Sequence, residues 1–159
     1  MANQSAGYAT LSSSLLTDHG TTLETELGTR RMDRAGNEYI YLTGVASTVA
    51  GDWVHFDDDF VTTRLAGTLV GKVAVALSAC VAGEYGWYQI YGVGSAKVVA
   101  TGGVAVFTHT VTGQGLATVV TGYLINGAVT SDGDGNTVTG TLQGVALNYP
   151  FVSRTSGAY

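Results

Sequence analysis

The stretch Lys72-Val73-Ala74-Val75-Ala76-Leu77-Ser78-Ala79-Cys80-Val81-Ala82-Gly83-Glu84-Tyr85-Gly86-Trp87-Tyr88-Gln89-Ile90-Tyr91-Gly92 decides how the rest of the chain is read. Its first half alternates with a period of two, the repeat of a β-strand whose successive side chains leave opposite faces. Val73, Val75, Leu77 and Val81 fall on one face, and Lys72, Ala74, Ala76 and Ser78 on the other. The second face is small rather than charged, which points to close contact with another sheet or subunit instead of open water. Ala82-Gly83-Glu84 then turns the chain into a second strand, in which Tyr85, Trp87, Gln89 and Tyr91 share a face. Tyr and Trp join an apolar body to a polar tip and suit a half-buried position.

The same rhythm extends in both directions. Upstream, Asp33-Arg34-Ala35-Gly36-Asn37 reads as a hairpin turn into the strand Glu38-Tyr39-Ile40-Tyr41-Leu42-Thr43. Ala50-Gly51-Asp52 leads into Trp53-Val54-His55-Phe56, Asp57-Asp58-Asp59 interrupts, and residues 60–65 resume. Downstream, strands are expected over 96–100, 104–111, 117–125, 137–142 and 145–151, separated by glycine-containing turns at 101–103, 112–115, 126–127, 132–136 and 144. Strand signals at this spacing describe a barrel or sandwich. The expectation is an all-β fold: a single β-barrel or β-sandwich of short antiparallel strands over residues 31–159, preceded by an extended N-terminal arm over 1–30. The arm is rich in Ser and Thr, its leucines (Leu11, Leu15, Leu16, Leu23, Leu27) are too few for a core, and it should gain order on its own domain or on a neighbour.

Composition narrows the function. Charged residues make up 12% of the chain, about half the usual share, with 23 glycines and a single proline, Pro150. The formal net charge of −5 argues against nucleic acid as a partner, since neutralising phosphates requires clustered Lys and Arg. Three of the seven basic residues, Arg30, Arg31 and Arg34, nevertheless stand together. They form either a solvated turn beside Asp33 and Glu38 or an electrostatic contact to an acidic partner. No apolar run is long enough for a membrane helix, and no basic-then-apolar leader opens the chain. The expected place of synthesis is a host cytoplasm. Cys80 is the sole cysteine and reads as a small buried hydrophobe.

A search for chemistry turns up no catalytic constellation. His19, His55 and His109 are widely separated, without the paired spacing of a zinc site. Asp57-Asp58-Asp59 reads as a solvated loop, though it could attract a hard cation. Asp132, Asp134 and Asn136 begin like a calcium loop, but Thr137 and Gln143 occupy positions where that loop needs glycine and a bidentate carboxylate. Neither a nucleophile elbow nor a phosphate-cradling loop is present. The reading is a non-enzymatic chain without a cofactor or a metal.

Two segments resemble a family of small tailed-phage virion proteins. The first joins Leu27-Gly28-Thr29, residues 33–36, Tyr39-Ile40-Tyr41 and Gly44-Val45-Ala46; the second is Gly83-Glu84-Tyr85-Gly86-Trp87-Tyr88-Gln89-Ile90-Tyr91-Gly92. The likeness covers residues 26–100 and weakens toward the C-terminus. It implies a decoration (cement) subunit on the outer capsid surface of an HK97-type head, stabilising the shell. Its implied partners are the major capsid protein and itself, as a homotrimer on the lattice. Capsid or subunit contacts are then expected from Leu15, Leu16, Arg30, Arg31 and Arg34 in and after the arm, and from Tyr85, Trp87 and Tyr91. For the aromatic set, anchoring the chain's own core is the competing reading. A carbohydrate- or receptor-binding module is the alternative function, and it calls for an exposed Tyr88 or Tyr91 in a groove.

Overall fold

The computed structural model describes residues 13–66, 69–98, 108–109, 117–118, 123–130 and 141–154. Apart from one helical turn, α1 (Ser13–Leu16), every element is a strand: β1 (His19–Gly20), β2 (Arg30–Met32), β3 (Glu38–Thr43), β4 (Trp53–Phe56), β5 (Thr62–Arg64), β6 (Gly71–Ala76), β7 (Tyr85–Val98), β8 (Thr108–His109), β9 (Ala117–Thr118), β10 (Tyr123–Thr130) and β11 (Thr141–Arg154). The strands run in the order β2-β3-β7-β11-β6-β4-β5, with β10 beside β11 and β1 beside β7. Among the described residues all pairings are antiparallel except a single parallel contact, Val98 with Ala117. The chain is all-β and sandwich- or barrel-like, as the alternation implies.

Strands β6, β7 and β11 each pair with the other two. The first half of β7 takes β3 on one edge and β6 on the other (Val75 opposite Gln89, Ala76 opposite Tyr88). Its second half pairs with β11 from Tyr91–Asn148 to Val98–Thr141. Beyond that point β11 passes to β6, with Phe151 opposite Lys72. The sheet curls around this junction: Phe60, after β4, packs its ring on Gly28, and Thr43 at the end of β3 exchanges bonds with Phe60 and Thr62.

Alternation sends neighbouring residues of one strand into different cores. Trp53, Val73 and Val75 join Ala96, Val98, Ile125, Val145, Leu147 and Val152 in one cluster. Val54, Phe56, Ala74 and Ala76 point the other way, to Ile40, Leu42, Tyr88 and Ile90. Thus the small face of β6 is covered by the chain's own layer, with Ala74 and Ala76 buried. A third cluster sits on the outer side of β3 and β7: Tyr39, Tyr41 and Trp87, capped by Leu16 and Leu27. The arm residues from Leu15 onward therefore order on their own domain, with β1 laid beside Gly86 and Tyr85.

Two glycine signals that read as strand separators, at 144 and at 126–127, are not breaks, and the strand expected to close at Gly92 runs on. Gly92 lies within β7 and Gly144 within β11, so each pair of short strands is one strand of 14 residues. Asn126-Gly127 is a bulge inside β10, with Gly127 at φ +72° and a register shift to Ala128. The expected strand over 104–111 appears only as β8, the rest of it lying outside the described residues.

One buried charge ties the layers together. Asp52 is fully buried, and its carboxylate receives Arg64 and Lys97, each at 2.9 Å, and the Val49 amide at 3.1 Å. The Trp53 indole donates to the Lys97 carbonyl at 3.0 Å, so the loop before β4, β5 and the far end of β7 share one polar knot. Removing one partner of a buried ion pair strands the others. Arg64 and Lys97 keep side-chain exposures of 22% and 24%, so water recovers part of that cost. Asp52→Ala should lower unfolding stability by about 3 kcal/mol in urea titration, whereas Asp58→Ala, which breaks the exposed pair with Lys72, should leave the midpoint unchanged.

Candidate functional site

The β2–β3 hairpin presents the arginine cluster, and its turn is built around Asp33. One Asp33 carboxylate oxygen accepts the amides of Ala35 (2.8 Å) and Asn37 (2.9 Å); the other accepts the Asn37 side-chain amide and the Tyr39 hydroxyl, both at 2.8 Å. Gly36 supplies the left-handed residue, at φ +88°. Burial alone raises the Asp33 carboxyl, but these four bonds outweigh it and hold the group below the usual aspartate range. Burial, with the hydrogen bond to Asp33 second, pushes the Tyr39 hydroxyl far above its ordinary value. The turn's own acid is thus occupied by the turn, and Arg34 projects from it into solvent.

Strand geometry sends Arg30 and Arg31 to opposite faces. Arg31 lies over the Trp87 ring, 5.6 Å from its centroid, on the face that also holds Tyr41 and Tyr85. Arg30 lies 5.8 Å over the Tyr149 ring and 3.5 Å from Glu38. Tyr149 in turn donates its hydroxyl to Glu38 at 2.7 Å and tilts against Tyr91, with centroids 5.3 Å apart. The bond to Glu38, with a little desolvation, raises the Tyr149 hydroxyl above its ordinary pKa.

Tyr149 holds φ at +46°, immediately before Pro150. A non-glycine residue there costs on the order of 1 kcal/mol. The strain falls where β11 leaves β7 (Asn148 opposite Tyr91) and joins β6 (Phe151 opposite Lys72), and it turns the Tyr149 ring outward beside Tyr91. Tyr91, Tyr149 and Phe151 are 39%, 49% and 47% exposed, and Met32 is exposed beside them on the hairpin. A groove of about 270 Å³ runs along Arg30, Arg31, Met32 and Glu38. A smaller one lies between Arg30, Lys72, Tyr149 and Phe151. The result is an aromatic and cationic surface on a rigid junction.

The residues singled out from sequence divide accordingly. Arg30 and Tyr91 meet on this surface, with Arg34 at its rim. Arg31, Tyr85 and Trp87 gather on the opposite side of the hairpin, where Trp87 is 5% exposed and Leu16 covers it. Leu16 and Trp87 are engaged by the chain's own core, while Leu15 is exposed. Tyr88, offered as a sugar platform, is fully buried with its hydroxyl directed at the Thr43 carbonyl, so only Tyr91 can serve that role. Glu38, Tyr149 and Phe151 were not expected. Their signal was available in the chain's only proline, which stands between two aromatic residues.

The acidic candidates are turn-formers. Asp57 accepts the amides of Asp59 and Val61, and Asp58 pairs with Lys72. Among the described residues no group of three His, Cys, Asp or Glu side chains is placed to hold a metal ion. The Asp132–Asn136 segment lies outside the described residues. Cys80 is buried, as read from its apolar surroundings. Comparison with known protein families, curated proteins and solved structures finds no match for this chain.

Two measurements test this arrangement. Trp87→Ala should destabilise the isolated chain by about 3–5 kcal/mol in denaturant, the cost of emptying a core site; a folded variant of unchanged midpoint would place Trp87 outside the core. Asp33 has a lowered folded pKa, so its contribution is complete above the ordinary aspartate value of 3.8 and fades as pH falls from there through the lower folded value. Turn-amide chemical shifts of Ala35 and Asn37 should report that loss within this window, toward its lower end, and Asp33→Ala should abolish the titration and cost about 1–2 kcal/mol at neutral pH.

Proposed function

We propose that this chain is a structural, protein-docking subunit, and that its partner is the outer capsid surface of a tailed phage, where it acts as a decoration protein. The observation that carries the docking half is the exposed Arg30–Tyr149–Tyr91 surface with Phe151 and Met32. Arg, Tyr, Phe and Met are the residue types enriched at protein interfaces, and here the first two are fixed by Glu38 before any partner arrives. The capsid half is supported by the resemblance of residues 27–46 and 83–92. A cement subunit works by mass action: binding the assembled shell but not its separated pieces shifts the equilibrium toward the shell, and repetition over a lattice, for instance as trimers, multiplies weak contacts. The half-exposed Tyr91–Tyr149 pair supports a second reading, a glycan platform in a fibre or tail module.

Copy number separates these readings. Quantitative mass spectrometry of purified particles should give a ratio near one to one with the major capsid protein. A few copies per particle would favour the fibre or tail, and absence from particles would overturn the virion reading. On the docking surface, the double variant Tyr91→Ala/Tyr149→Ala should remain folded yet bind particles at least about tenfold more weakly, a loss of about 1.4 kcal/mol or more.

A further inference from the structure

We infer that the outer edge of β2 is a docking edge for an extended acidic strand supplied by the partner. Strand β2 ends the sheet path and, among the described residues, pairs only with β3. The Tyr41 amide bonds the Thr29 carbonyl and the Asp33 amide bonds the Asn37 carbonyl, so the bonded positions facing β3 are residues 29, 31 and 33. Antiparallel alternation then turns the N–H and C=O groups of Arg30 and Met32 outward, and among the described residues nothing pairs with that edge. The groove along Arg30, Arg31, Met32 and Glu38 lies beside it.

Charge selects the occupant. A chain of net charge −5 places three of its seven basic residues at 30, 31 and 34. Asp33 is consumed by its turn, and Glu38 is shared between Arg30 and Tyr149. An incoming strand therefore meets Arg30 on one face and Arg31 on the other, so carboxylates at successive positions find a guanidinium on each side. Apolar Met32, two residues on, faces the same way as Arg30 and takes an apolar neighbour. Strand addition of this kind draws affinity from main-chain bonds and selectivity from alternate side chains. Three residues of edge give weak binding per site, in keeping with a role that depends on many copies. The inference rests on this face being a protein contact and not on the partner being a capsid, so particle counting and the experiment below fail independently.

The test uses the full chain, 15N-labelled, with the capped hexapeptide Thr-Val-Glu-Glu-Val-Thr, whose successive glutamates leave opposite faces, and its lysine counterpart Thr-Val-Lys-Lys-Val-Thr. The outward amides of Arg30 and Met32 should exchange freely in the unbound chain. The glutamate peptide should slow both by at least about tenfold while leaving the inward Arg31 amide unchanged, and the lysine peptide should not. Arg30→Glu should shift the preference toward the lysine peptide; Arg34→Glu, at an exposed turn position, should weaken the glutamate peptide without touching the strand. Equal protection by both peptides would overturn the charge selection. Protection by neither, or shifts confined to the Tyr91 and Tyr149 rings, would overturn the edge itself.

Discussion

Strand β7 must be paired along both edges and covered on both faces, and this double demand shapes the rest of the molecule. Residues 86–90 are all buried, with β3 and β6 on the two edges, Trp87 under the arm and Tyr88 in the inner core. Beyond residue 90 the strand passes from β3 and β6 to β11 within the same sheet, turning at Gly92, and this bend needs space at two positions. A Cβ on Gly92, at φ +93°, would lie 2.1 Å from Asn37 Oδ1, the atom that accepts the Val93 amide. A Cβ on Gly94 would lie 2.0 Å from Gln89 Oε1. Gln89, itself buried, folds back and donates to the carbonyls of Tyr91 and Val93, which satisfies its own side-chain amide beside the bend.

The bend also explains why the contact surface stands where it does. As β7 curves away, β11 follows it as far as Asn148 and must then cross to β6. Tyr149 is the residue caught at the crossing. Its left-handed conformation, which a following proline does not favour, is held by the contacts of its side chain with Glu38 and Tyr91. Two half-exposed aromatic rings and an arginine are thereby fixed in position, and a partner has little side-chain entropy left to remove.

Much of this was legible in the sequence, and the failures share a cause. Period-two alternation located β3, β4, β6 and the start of β7, and Asp33 with Gly36 located the hairpin, because those signals are local. Gly144 read as a separator, and Gly92 as the end of its strand, because a glycine looks the same whether it ends a strand or makes room for a neighbour across the sheet. Asn126-Gly127 matched a hairpin turn and served instead as a bulge, a choice made by the register of β10 on β11. Asp52 was invisible as a buried hub: a lone aspartate after a glycine reads as solvent-facing, and only Arg64 and Lys97, distant in sequence, make burial tolerable. The arginine cluster was legible by composition. Its aromatic partner Tyr149 was not, since 111 residues separate it from Glu38.

An open edge in a β-protein invites pairing with a second copy of itself, and the composition of β2 bears on which pairings survive. Two β2 edges laid together would bring Arg30 and Arg31 of one copy against the same residues of the other, an arrangement that like-charge repulsion disfavours. The acidic net charge of the remaining chain removes only part of that penalty, because Asp33 is occupied by the hairpin turn and the single Glu38 is shared between Arg30 and Tyr149. A cationic edge in an acidic protein is therefore closed to self-pairing and open to strands of opposite charge. The same two guanidiniums that blunt the edge also discriminate among its partners, and short length keeps each engagement weak enough to be reversible until neighbouring copies add to it.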